Sequence, residues 1–376
     1  MNSKEFYTLY KMDISYFSGK IEAYLRYKEI PYRAIECCDD MKAFHRVGDK
    51  TGFQKVPAIE MNDGKWLCDT TPMIQWLEHK HLGAPVIPDD PALRFIALLI
   101  EDYGDEWLWR PAMWWRWVPK VSRVAMGRRI AKIFSKHLAT PVGFYFAKRQ
   151  LGEWLWKDGV DKHNSDDVRD MLFRELEFLE PLFEKNPYLL GSHPSIADFG
   201  YFASFFRHFG NDIISAEVIR RHGPNTYEWL ARLWNAKHSK LAKEIEWTWP
   251  TEPYWQPLLK RIAKDYLPYL KQNAMAFKQG KKRFDHQGES FTFKQTVTTH
   301  YRVWCRQTLQ KEFSLLTESD QNRVLALFES LGGIDDLQHG EHIDSGMGEK
   351  FQLPIDPKQT QKPLNFISKF LGQARN

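Results

Sequence analysis

The hydrophobic periodicity of this chain changes once, across the proline-rich stretch 83–91, and that change constrains the fold more than any other feature. Before it, strand-like and helix-like segments alternate. Residues 6–10 are a short aromatic and β-branched run, which reads as a strand. A small-residue loop at 15–19 follows. Ile21, Tyr24, Leu25 and Lys28 then recur at helical spacing until Pro31 stops the helix. Residues 32–36, 56–61 and 65–68 read as three more strands, the last two joined by the turn Asn62-Asp63-Gly64. Asp69-Thr70-Thr71-Pro72 opens another helix, with a capping residue and a proline in the first turn. The order βαβ, ββ, α over residues 1–82 specifies a small α/β unit.

After the stretch the patterns are helical. Residues 92–250 read as an all-α domain. Three prolines, Pro250, Pro253 and Pro257, mark its end. Residues 256–332 form a further, mainly helical extension, with helices expected at 258–277 and 303–331 and one strand-like alternation at 289–294. Residues 333–376, rich in Gly, Asp, Pro and Gln, are expected to be a mobile tail.

Charge and cysteine content exclude several classes. A net charge of +5 over 376 residues is mild and gives no reason to expect a nucleic-acid partner. Four cysteines, two of them adjacent, are too few for a secreted disulfide framework. No ligand pairs at short spacing suggest a metal site. The amino-terminal residues lack a basic segment followed by an apolar run, and the apolar run 95–100 is far short of a membrane span. A cytoplasmic protein with reduced thiols and no membrane span is expected. The basic residues Lys120, Arg123, Arg128, Arg129, Lys132, Lys136, Lys148 and Arg149 read as a solvated helix face, paired to acids before and after it.

Three motifs resemble the glutathione S-transferase superfamily. Residues 15–32, a loop, a short helix and an Ile-Pro-Tyr turn, are similar to that family's first helix, and also to that of metaxin-like proteins. Lys55-Val56-Pro57-Ala58-Ile59 resembles the family's K-V-P-x-L, in which the proline is cis. Gly191 to Asp198 resembles the motif G-x-x-x-S/T-x-A-D of its helical domain. Order and spacing match over about residues 5–245, and the long extension resembles that of a bacterial subgroup of transferase-like proteins. The resemblance implies a thioredoxin-like amino-terminal domain followed by a helical carboxy-terminal domain.

It also implies a site. Val56 would present backbone N–H and C=O groups to an extended peptide, as an added strand does, and glutathione is such a peptide. Lys55 would pair with the glycine carboxylate. Asp69 and Thr70, at a helix amino terminus, would hold the γ-glutamyl group. Ser15 stands where the family places a hydroxyl that stabilises the glutathione thiolate, with Tyr16 and Ser18 as alternatives. No cysteine lies in that loop, so thiol exchange is not expected. Ser195 and Asp198 form a capping box, a structural feature. Tyr103, Trp107, Arg110, Trp114 and Trp117 follow one helical stripe interrupted by Pro111, where a kink is expected. Trp107, Arg110 and Trp114 would line an apolar acceptor pocket, although helix-bundle core is the plainer reading for most of the stripe. The expected function is conjugation of glutathione, a co-substrate, to a hydrophobic electrophile in detoxification, by a protein that dimerises as the family does. The alternative is a non-catalytic binding or scaffold protein whose extension mediates contacts.

Overall fold

The computed structural model describes residues 6–134, 139–332, 334–348 and 352–357, and these fall into two compact units. The first unit draws on 1–85, 232–243 and 349–376; the second on 86–231 and 244–348.

The first unit contains, in order, β1 (Tyr7–Lys11), α1 (Tyr16–Tyr27), β2 (Tyr32–Glu36), α2 (Met41–Thr51), β3 (Ala58–Glu60), β4 (Trp66–Cys68) and α3 (Thr70–Lys80). The strands form one sheet in the order β2-β1-β3-β4. β1 and β2 are parallel and the other two pairs antiparallel. A parallel pair cannot be joined by a hairpin, so α1 makes the crossover. α1 begins five residues earlier than the apolar spacing alone indicated, because Ser15 caps it and accepts from Ser18 N. α2 has no counterpart in the sequence reading. Asp40 caps it by accepting from Lys42 N and Ala43 N, and Gly52 closes it at φ 77°. Leu9, Ile21, Leu25, Ile59, Leu67 and Ile74 are fully buried between helices and sheet. Part of the expected tail belongs here. Ile355 exchanges two backbone hydrogen bonds with Trp66, at 2.9 and 2.7 Å, and so covers the open edge of β4.

The second unit contains α4 (Pro91–Glu106), α5 (Trp109–Trp117), α6 (Lys120–Phe134), α7 (Ala139–Arg149), α8 (Ser165–Lys185), α9 (Ile196–Ser204), α10 (Ile213–His222) and most of α11 (Pro224–Asn235). It continues through α12 (Gln256–Arg261), α13 (Leu267–Lys278), the hairpin β5 (Arg283–Gln287) and β6 (Thr292–Val297), then α14 (His300–Ser314), α15 (Glu318–Phe328) and α16 (Asp335–His339). The expected kink is a full break. α4 ends at Glu106, and Pro111, which has no N–H to donate, sits in the first turn of α5. α4 and α9 touch backbone to backbone. A Cβ on Gly200 would lie 2.7 Å from Glu101 Cα, and one on Gly104 would lie 2.9 Å from the Gly200 carbonyl carbon.

Residues 256–332, the expected extension, cluster with the helical unit, where α13 and the β5–β6 hairpin close over Trp107. The segment expected to be a tail holds structure among its described residues. α16 follows at once, and Ile343 and Met347 are buried, so apolar residues here pay back their ordering entropy. Residues 333, 349–351 and 358–376 lie outside the described residues. Among the described residues no helix is long and apolar enough to cross a membrane.

Candidate functional site

Strand register gathers the expected peptide-binding residues at one end of the sheet. Tyr10 of β1 pairs with Ala58 of β3, and Ala58 pairs with Cys68 of β4. The loop after β1, the residues before β3 and those after β4 therefore leave the sheet side by side. They carry Ser15, then Val56 and Pro57, then Asp69 and Thr70.

Of the three candidate hydroxyls, Ser15 keeps the most access. Tyr16 is 2% exposed, with its ring 4.7 Å from that of Phe17, and Ser18 is fully buried, with Oγ accepting from Met12 N. Ser15 is partly exposed. Its Oγ accepts from Ser18 N at 3.4 Å, a bond that uses a lone pair and leaves the hydroxyl proton to donate. The amino terminus of α1 adds positive potential at the same point.

The Val56–Pro57 peptide is cis. β3 begins at Ala58, so the N–H and C=O of Val56 stand outside the sheet ladder. Lys55 is exposed. Asp69 adopts φ 67° and ψ 124°, a conformation L-residues rarely visit, and its side chain makes no capping bond to α3. Strain of this kind persists only where the surrounding structure imposes it, and it clusters at ligand sites. Thr70 follows it, 3% exposed. Cys68 lies next to Asp69, and burial, aided by the nearby carboxylate, pushes its thiol well above its ordinary pKa, so it is no nucleophile.

One residue of this site was not singled out in the sequence. Lys20, on α1, is fully buried and donates from Nζ to Thr71 Oγ1 at 3.2 Å. Its signal was present. Lys20 lies four residues after Tyr16 and three before Ala23, on a stripe otherwise apolar.

The expected acceptor-pocket residues belong to the second unit and are buried within it. Trp107 and Arg110 have no exposed surface and Trp114 is 8% exposed. Trp107 meets Tyr266, Tyr269, His286, Phe291 and Phe293 edge-on, with ring centroids 5.7–5.9 Å away. Arg110 stacks on Tyr269 and Phe293 and pairs with Asp158 at 3.2 Å. Burial disfavours the Asp158 charge, but Arg110 and Arg302 outweigh it and hold the carboxyl below its usual range. Trp114 Nε1 donates to Ser165 Oγ at 2.7 Å. Trp107 and Arg110 are thus core, sealed by residues from the extension, and a substrate does not reach them. Arg116, also on α5, is committed to Asp212 at 2.7 Å.

The capping box at Ser195 and Asp198 is present and reaches further than a cap. Asp198 Oδ2 accepts from Ser195 N and Oγ, and Oδ1 accepts from Leu189 N and from Trp229 Nε1. Among the described residues no group of three or more His, Cys, Asp or Glu is placed to hold a metal ion.

Residues 9–85 match the profile of the glutathione S-transferase N-terminal domain, and residues 136–236 that of the glutathione S-transferase C-terminal domain. No curated protein matches the chain. Similar solved structures include a glutathione S-transferase from Rhodospirillum rubrum F11, at 16% identity and TM-score 0.40 over 67% of this chain and 91% of that one. They also include the beta-etherase LigF from Sphingobium sp. strain SYK-6, at 18% identity and TM-score 0.44 over 68% and 99%. A GST-like protein from Pseudomonas syringae is similar at 17% identity and TM-score 0.43 over 65% and 77%.

Proposed function

The chain belongs to the glutathione S-transferase superfamily, and from that premise we propose that it binds glutathione at the Ser15–Val56–Asp69 end of the sheet and transfers its sulfur to an electrophile. The observation that carries the reading is the backbone of Asp69, held at φ 67° between β4 and the amino terminus of α3.

In this reading the tripeptide lies along the strand ends. Val56 pairs with the backbone of its cysteine, and Lys55 takes the glycine carboxylate. The Asp69 carboxylate accepts from the α-ammonium of the γ-glutamyl residue. Thr70 and the first N–H groups of α3 hold the γ-glutamyl carboxylate. The Ser15 hydroxyl donates to the sulfur. That bond, with the amino-terminal dipole of α1, favours thiolate over thiol. The thiol proton passes to solvent. The sulfur then forms a bond to an electrophilic carbon of the second substrate, whose leaving group departs with the displaced electron pair.

The test joins calorimetric titration of glutathione with turnover of an activated aryl halide. Binding in the micromolar to millimolar range is expected. Ser15→Ala should retain binding, lower kcat/KM by about tenfold to a thousandfold, and move the ascending limb of the rate profile, where the thiol ionises, to higher pH. An absence of heat at millimolar glutathione would overturn the proposal and favour the scaffold reading.

A further inference from the structure

The helical pair α6 and α7 turns an aromatic and basic face to solvent. α6 ends at Phe134 and α7 begins at Ala139, and the two pack through glycines. A Cβ on Gly127 would stand 3.0 Å from the Gly143 carbonyl oxygen. The helices therefore run antiparallel. Arg128 and Phe144 each follow a facing glycine by one residue. In an antiparallel pair that step rotates both side chains to the same side. Helical spacing extends each position into a stripe, Val121 with Arg128 and Lys132 on α6, Phe144 with Lys148 on α7.

These stripes are exposed. Phe144 is 67% exposed, Val121 55% and Tyr145 52%, while Arg128, Lys132 and Lys148 are all on the surface. Trp156, at the end of the π-helical continuation Gln150–Trp156, is 57% exposed. Residues 120–149 hold eight Lys and Arg and not one Asp or Glu; of these, Lys136 lies outside the described residues. Scattered single apolar side chains are normal on a soluble surface, whereas neighbouring ones on a pair of helices mark an interaction site.

We propose that this face docks on the surface of an anionic lipid bilayer. Phe144, Tyr145 and Trp156 enter the boundary between headgroups and acyl chains, where amphipathic rings are favoured, and the cations meet lipid phosphates. Charge complementarity selects this occupant. A two-fold contact with a second copy places a patch on itself, which here sets the cations of 120–149 against one another, in a stretch that holds no acid. Single-stranded nucleic acid stacks on aromatics lining a charged groove, whereas these rings project from the outer surface of a helix.

The experiment is cosedimentation of the full chain with phosphatidylcholine vesicles, with and without phosphatidylglycerol. Binding is expected only to the anionic vesicles and should fall as salt is raised. The double variant Arg128→Glu, Lys132→Glu should weaken partitioning by about tenfold or more. Phe144→Ser with Tyr145→Ser should weaken it while preserving the salt dependence. All four positions are exposed, so unchanged melting temperatures are expected and confirm that the variants are folded. Three results would each overturn the proposal: equal binding to neutral and anionic vesicles, tighter binding to an oligothymidine strand than to vesicles, or a solution dimer that Phe144→Glu dissociates. Glutathione titration of the same variants should be unchanged, which keeps this outcome separate from that of the transferase reading.

Discussion

The Nζ of Lys20 donates to Oγ1 of Thr71 across 3.2 Å, and Lys20 has no surface in contact with solvent. This bond ties α1, which carries Ser15 at its start, to the first turn of α3, which carries Thr70. The two helix ends that flank the proposed glutathione site are thus linked by a buried lysine and a partly buried threonine. A hydrogen bond involving a basic side chain in such a place contributes about 1.5–3 kcal/mol. A double-mutant cycle on Lys20→Met and Thr71→Val, read by urea denaturation, should return a coupling energy of about 1–3 kcal/mol. Both single variants should also weaken glutathione binding. A coupling near zero would mean that the contact holds nothing.

Asp69 separates function from stability. Its φ of 67° strains any residue with a Cβ, by about 1–3 kcal/mol. Glycine adopts that conformation freely. Asp69→Gly should therefore be as stable as the parent protein or up to about 1 kcal/mol more stable. It should nonetheless bind glutathione about tenfold or more weakly, having lost a charge-assisted hydrogen bond. Thermal melting and calorimetry on one preparation decide it. A variant that lost stability and kept affinity would place Asp69 among structural residues.

How much of this was legible in the sequence differs from residue to residue. Ser15, Val56, Pro57, Asp69 and Thr70 lie in local patterns of turn, cap and strand end, and such patterns survive in one dimension. α2 was missed because its inward side is only Ala43, Val47, Gly48 and Thr51, too weak a stripe to recognise. Lys20 was hidden because its partner is 51 residues away. The tryptophan stripe showed a helix face but not what covers it. Tyr266, Tyr269, Phe291 and Phe293 arrive from more than 150 residues along the chain, and no periodicity announces a contact of that range. The same holds for Ile355, whose strand-like pairing with Trp66 is invisible in a polar, proline-rich segment.

The close approach of α4 and α9 gives a purely structural expectation. Alanine favours a helix over glycine by about 1 kcal/mol. At Gly200, however, a methyl group would lie 2.7 Å from the backbone of Glu101, which no side-chain rotation relieves. Overpacking of this kind costs about 1–3 kcal/mol and outweighs the propensity gain where backbone must move. Gly200→Ala should lower the urea midpoint, whereas Gly152→Ala, which would meet nothing within 4 Å, should not. If both variants behaved alike, α4 and α9 would not be in backbone contact.

Asp198 supplies a pH dependence with a defined sign. Burial pushes its carboxyl up to about 6, against the lowering effect of its four donors. An unfolded aspartate titrates near ~3.9. The folded state therefore holds the proton more tightly, and stability falls as pH rises from about 4 to about 6, by roughly 3 kcal/mol at most from this group. Asp198→Asn cannot titrate. It keeps an acceptor for Leu189 N and Trp229 Nε1 but sets an amide donor against Ser195 N, so it should be less stable at every pH. The comparison lies in the slopes. Between pH 4 and 6, urea midpoints of the parent protein should decline more steeply than those of the variant, and above pH 7 the two curves should run parallel. Parallel curves across the whole range would show that Asp198 is ionised throughout, its four hydrogen bonds having overcome the burial.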